Sequence, residues 1–109
     1  MSLKPVVRRR KANDDIESAV SYYLDAAGSE LATDFLNRLE LVIKNISKHP
    51  RAGSQRYGHE LQIIDLRQWP MQRFPYLIFY VEKQRHIELV RVLHSERDIP
   101  SSITLDDTE

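Results

Sequence analysis

The chain has 109 residues, 41% of them apolar and 29% charged, and its 16 basic residues balance its 16 acidic ones. That length suits one domain with a single modest core. The absence of cysteine excludes a disulfide framework and any thiolate metal site, and no apolar run approaches the ~20 residues of a membrane span. No apolar signal core follows Met1-Ser2-Leu3-Lys4-Pro5, so a cytoplasmic protein is expected.

Pro5-Val6-Val7-Arg8 reads as a short first strand. Ile16, Ala19, Val20, Tyr23, Leu24 and Ala27 then recur at the spacing of an amphipathic helix. Asn13 or Asp14 is its predicted cap, with Glu17 completing a capping box, and Gly28 is its predicted stop. Ser29 opens a second helix whose stripe is Ala32, Phe35, Leu36, Leu39, Val42, Ile43 and Ile46, ended by Pro50. The tight link at Gly28 makes the two helices an antiparallel hairpin.

Residues 49–59, HPRAGSQRYGH, read as a polar, basic loop. Residues 61–66 read as a strand, and Gln68-Trp69-Pro70-Met71 as a turn. Two β-branched and aromatic runs follow, residues 74–81 and 87–93, joined by the polar residues 82–86 as a β-hairpin. Residues 98–103 read as a short terminal turn or helix, and residues 1–4 and 104–109 as flexible ends. The order β-α-α-β-β-β places an antiparallel sheet against the helical hairpin in an α+β domain spanning 1–109. In the run 74–81, Tyr76, Ile78 and Tyr80 alternate with Leu77, Phe79 and Val81, so both faces are apolar. The second face calls for a binding partner or a further covering segment.

Charge is unevenly spread. Lys4, Arg8, Arg9, Arg10 and Lys11 form a basic arm, whereas residues 13–30 carry acids only. His49, His59, His86 and His94 lack compact ligand spacing, so no metal and no cofactor are expected.

The helix pair, the His49-Pro50-Arg51-Ala52-Gly53 segment, the run Arg73-Phe74-Pro75-Tyr76-Leu77-Ile78-Phe79-Tyr80 and the closing Arg91-Val92-Leu93-His94-Ser95-Glu96-Arg97-Asp98 together resemble the ParE/RelE superfamily of type II toxins, closest to the ParE branch. The resemblance implies a toxin neutralised by a ParD-like antitoxin encoded beside it, with DNA gyrase as the target. Under it, Arg51, Arg56, Arg67, His94 and Arg97 are expected to meet the target. Tyr76, Ile78, Tyr80 and Trp69 are expected to meet the antitoxin. An uncovered apolar face would also permit a homodimer, or a heterotetramer with the antitoxin.

The RelE branch implies an alternative, a ribosome-dependent mRNA endoribonuclease that works without metal. Its candidates here are Arg73 and Arg91 as cations on the phosphorane and His94 as acid or base. The same residues also read as ion pairs and hydrogen bonds, with Arg91 held by Glu96, Asp98 or Glu88. No tyrosine follows Tyr80 and net charge is zero, both departures from the nuclease pattern. A third reading is a toxin remnant that binds the antitoxin without harming the cell.

Overall fold

The computed structural model describes residues 3–103. The first strand, β1 (Val6–Arg8), passes directly into α1 (Arg10–Ala27). Arg9 belongs to both: its N–H donates to the Leu89 carbonyl at 3.0 Å, and its own carbonyl accepts the first helical bond, from Asn13. The helix therefore begins ahead of the expected caps Asn13 and Asp14, which lie inside it. Arg9 stands at the cap position and makes no side-chain cap bond.

Gly28 has φ +92, a region closed to most L-residues, and it joins α1 to α2 (Ser29–Lys48) without a loop. Its N–H closes α1 on the Leu24 carbonyl, and its carbonyl accepts the Ala32 N–H of α2.

Beyond Pro50 the structure departs from the sequence reading. Arg56–Leu61 form a short helix, α3, and the next strand, β2, is Leu66–Pro70 rather than 61–66. Gly58 and the polar residues of this segment mask the helix, which an i,i+4 pair between Arg56 and Glu60 supports. A Cβ at Gly58 would sit 2.6 Å from the Leu66 carbonyl oxygen, so close packing requires the glycine. Gln62 and Asp65 then take positive φ and reverse the chain. Trp69 and Pro70 lie in the strand, not in a turn. Pro70 is tolerated because β2 is an edge strand and the missing N–H faces outward.

β3 (Tyr76–Glu82) and β4 (Ile87–His94) form the expected hairpin. The four-stranded sheet has the order β1-β4-β3-β2, antiparallel except that β1 runs parallel to β4. A bulge opposite the Phe79–Tyr80 junction puts both Val90 and Arg91 there and switches which β4 residues face the helices. Ile87 and Leu89 face them before it, and Val92 after it.

Both faces of the sheet are covered. Phe35, Leu39, Ile46 and Ile16 of the helices pack on Ile78, Tyr80, Leu89 and Val92. On the other face Phe79, Val81, Val90 and Leu93 pack under Ile63 and Leu66, and under Ile99 of the terminal helix α4 (Ile99–Ser102) together with Ile103. Of the two occupants expected for the second apolar face, the chain supplies its own covering segment. Ile78 and Tyr80 are 0% exposed. As core residues of the helix-covered face they present no side chain to an antitoxin, which corrects that expectation.

At the N-terminus, Lys4 is held by Glu82, the Lys83 carbonyl and the Ser47 hydroxyl, which donates to the Lys4 carbonyl. Residues 1–2 and 104–109 lie outside the described residues. No helix among the described residues is long and apolar enough to cross a membrane.

Candidate functional site

A groove of about 850 Å³ opens between the middle of α1 and the adjoining ends of β3 and β4. One helix face lines it in steps of four: Asp14 and Asp15, Ser18 and Ala19, then Tyr22 and Tyr23. Pro75 and Tyr76 enter from the start of β3, and Arg91, Val92 and His94 from the end of β4. Glu96 and Arg97 stand on the rim.

The floor is aromatic. The Tyr23 ring meets Phe74 at 5.1 Å and Phe35 at 5.6 Å, and Tyr76 meets His94 edge-on at 5.3 Å. Burial, then the neighbouring Tyr23, pushes the Tyr76 hydroxyl up to about 12, so it stays protonated at neutral pH. His94 accepts the Glu96 N–H on Nδ1 at 3.1 Å, which leaves Nε2 as the protonated nitrogen of the neutral ring.

Arg91 is the most constrained cation of the groove. Its Nε and Nη2 donate to the two oxygens of Asp15 at 2.7 and 2.9 Å, and its Nη1 donates to the Ser102 carbonyl at 2.6 Å. The side chains of Arg91 and Asp15 are only 11% and 10% exposed. Asp15 also accepts the Val92 N–H at 2.9 Å. β1 pairs with β4 only as far as Leu89, and beyond that point the Asp15 carboxylate takes the place of a neighbouring strand. Arg91 therefore pairs with Asp15, where Glu88, Glu96 or Asp98 was expected.

The three residues of the nuclease reading do not converge. Arg91 and His94 share the groove. Arg73 lines a separate shallow depression with Glu30 and Leu31, where it pairs with Asp34 at 2.6 Å and holds φ +76. The basic residues expected to meet a target also divide. Arg67 donates to the carbonyls of Arg51 and Gly53, which fixes the loop. Arg51 is 84% exposed, and Arg56 lies over the Tyr57 ring. Trp69 lines a small groove with Leu41 and Val42 of α2, away from Tyr76.

Sequence reasoning missed Asp15, Ser18 and Tyr22 as groove residues. The available signal was that Ser18 and Tyr22 stand one turn apart beside the apolar stripe, with Asp15 one turn before Ala19, together with the aromatic character of Tyr22 outside that stripe, where it is 63% exposed.

A family model described as the ParE toxin of the type II toxin-antitoxin system, parDE, matches residues 6–99. The chain belongs to the ParE toxin family. Among solved structures it is similar to a chain of the chromosomal ParDE TA system from P. aeruginosa. The TM-score is 0.72 at 19% identity, over 86% of this chain and 98% of that one. That likeness shows a shared fold. No curated protein sequence matches this chain. The family match runs from β1 to the first residue of α4, so it includes every groove residue.

Proposed function

We propose that this ParE-family toxin acts in the cytoplasm by binding its target, DNA gyrase, and that a cognate ParD-like antitoxin neutralises it. The observation that carries the reading is the state of Arg91. A guanidinium held on both oxygens of a buried carboxylate and on a backbone carbonyl has all three of its nitrogens engaged. Freeing it for a phosphorane would leave Asp15 buried without its cation, a cost that opposes phosphate chemistry at this position. Arg73 lies in another depression, so the two cations of the nuclease reading are separated. The groove is thus furnished for contact: aromatic floor, charged rim, one fixed ion pair beneath. Within this reading Arg51, Arg56, His94 and Arg97 remain exposed or part-exposed contact candidates.

The nuclease reading keeps one supporting observation, the position of His94 beside Tyr76 in the groove. Induction of the chain without antitoxin separates the two. Gyrase poisoning produces an SOS response and filamentation, and purified chain then blocks supercoiling by gyrase. RNA cleavage produces arrested translation and mRNA fragments first, and is lost in His94→Ala. Normal growth on induction would leave a remnant that only binds antitoxin, and would overturn the proposal.

A further inference from the structure

We infer that the basic flank around the C-terminal end of α2 binds the phosphate backbone of duplex DNA. DNA is chosen on the gyrase reading above, since the target of that reading holds duplex DNA. What is added is a surface of this chain that meets the nucleic acid itself.

Three elements make the flank one continuous surface. α2 touches the β1 arm twice, through Glu40 on Arg8 and through the Ser47 hydroxyl on the Lys4 carbonyl. Lys4 in turn touches the β3–β4 turn, through Glu82 and the Lys83 carbonyl, and Arg51 reaches the same Glu82. Lys44 stands one helical turn from both Glu40 and Ser47, and Lys48 one turn beyond Lys44, so both border this junction. Arg85 stands in the turn between β3 and β4. Lys44, Lys48, Arg51 and Arg85 are all exposed.

Positive charge is left over on this flank. Its carboxylates Glu40, Glu82 and Glu88 are already held, by Arg8, Lys4 and Arg9. Lys44, Lys48 and Arg85 have no carboxylate within ion-pair distance among the described residues. Arg51 has one only at 3.5 Å, with 84% of its side chain exposed. Elsewhere the sign reverses: Asp14, Glu17 and Asp25 are exposed on α1, Glu30 at the start of α2, and Glu96 and Asp98 beyond β4. The charges cancel over the whole chain but are separated in space, so a polyanion is drawn to the α2 end and repelled from the other.

The chemistry of the flank selects nucleic acid over protein. A protein interface is anchored on aromatic or apolar residues that lose their water. Here the centre is Lys44 and Lys48, whose ammonium groups are costly to dehydrate. Leu41, exposed on the preceding turn of α2, lines the Trp69 groove instead. A phosphate backbone asks only for surface cations. Duplex is favoured over single strand because single strands are held by stacking on exposed rings. Tyr22, the exposed aromatic residue among the described residues, lies in the α1 groove.

The test titrates the purified full chain into a short fluorescent DNA duplex at several salt concentrations. Four neutralised phosphates, one each for Lys44, Lys48, Arg51 and Arg85, predict about a hundred-fold loss of affinity between about 50 and about 200 mM salt. Lys44→Gln with Lys48→Gln removes two of them, and the loss over that range is expected to shrink to about ten-fold for any DNA sequence. Lys44→Arg with Lys48→Arg is expected to restore the full salt dependence, which a mere change of side-chain shape would not. Failure to bind the duplex at low salt overturns the inference. So does an undiminished salt dependence in the Gln variant, or tighter binding of duplex RNA or of poly-glutamate than of DNA. A supercoiling assay separates this outcome from that of the gyrase reading. A chain that blocks gyrase but ignores free DNA sinks the DNA surface alone. A chain that binds DNA through Lys44 and Lys48 but leaves gyrase active sinks the gyrase reading alone.

Discussion

The two edges of the sheet are finished by different means. At β2 the backbone is closed by backbone: Ser54 pairs with Gln68, and the loop carrying Ser54 is pinned by the buried Tyr80 and the part-buried Arg67. The Tyr80 hydroxyl accepts the Gly53 N–H and donates to the Pro50 carbonyl, while Arg67 holds the Arg51 and Gly53 carbonyls. At β1 the strand is three residues long and is flanked by ion pairs that solvent reaches. A third stretch, β4 beyond Leu89, is closed by a single carboxylate from α1. A closure built on buried groups is part of the fold. A closure built on exposed charge is screened by salt and released by acid.

The carboxylate closure gives the largest expected effect. Asp15→Ala leaves the Arg91 guanidinium buried without its anion and the Val92 N–H without its acceptor. Removing one member of a buried pair costs about 3–5 kcal/mol, which urea unfolding would read directly. Asp15→Leu with Arg91→Met should recover most of that loss, since the pair is exchanged for apolar contact. A loss below about 1 kcal/mol in Asp15→Ala, the range of an exposed pair, would show that α1 does not close β4 through this residue.

The β2 closure gives the next effect. A Cβ at Gly53 would stand 2.1 Å from the Tyr80 hydroxyl and 3.0 Å from the Gln68 carbonyl. Gly53→Ala should therefore cost about 1–3 kcal/mol as overpacking. The cost should shrink when Tyr80→Phe removes the nearest atom, a coupling that a double-mutant cycle measures. Strict additivity would mean that the loop moves away as a body, and that the β2 edge is less firmly closed than its hydrogen bonds imply.

How legible each region was follows from where its information lies. The helix pair and the β3–β4 hairpin were readable because each carries a long run of one period, and Gly28 announced the turn between the helices. The α3–β2 region was not. Its six-residue helix contains Gly58 and no apolar stripe, and its strand contains Pro70 at an edge, so local propensity pointed the wrong way at both. Arg91 and His94 were readable as chemistry-bearing residues. The partner of Arg91 was not, because Asp15 lies 76 residues away in sequence and the pairing depends on a bulge that no spacing rule locates. Ile78 and Tyr80 were misassigned for a related reason. Alternation shows that a strand has two apolar faces, but it does not show which face the helices take, nor that residues 99–103 fold back over the other.

The smallest expected effect distinguishes the two edges by pH. Hydrogen bonding from Lys4, stronger than the opposing effect of burial, holds the Glu82 carboxyl below its ordinary value. Burial pushes Glu88 up, but hydrogen bonds from His86 and Arg9 outweigh it and leave that carboxyl depressed as well. A carboxylate depressed in the fold stabilises it at every pH above the unfolded value, and that contribution disappears as pH falls through the folded one. Both groups clip the β1 edge, through Lys4 and Arg9; on the β2 side Glu82 reaches only the exposed Arg51 side chain, at 3.5 Å, while the Ser54–Gln68 pair is made by backbone alone. Acidification below about 4.5, the ordinary value for these groups, should therefore loosen β1 first. The Val7 and Arg9 amides should begin to exchange faster while those of Ser54 and Gln68 hold. The pairs are partly exposed, so the loss should be about 1 kcal/mol or less in total, and smaller still in high salt. Lys4→Met should remove the Glu82 share and move the onset. If both edges opened together across that range, the ion pairs would not be what holds β1, and the contrast between an exchangeable edge and a fixed one would fail.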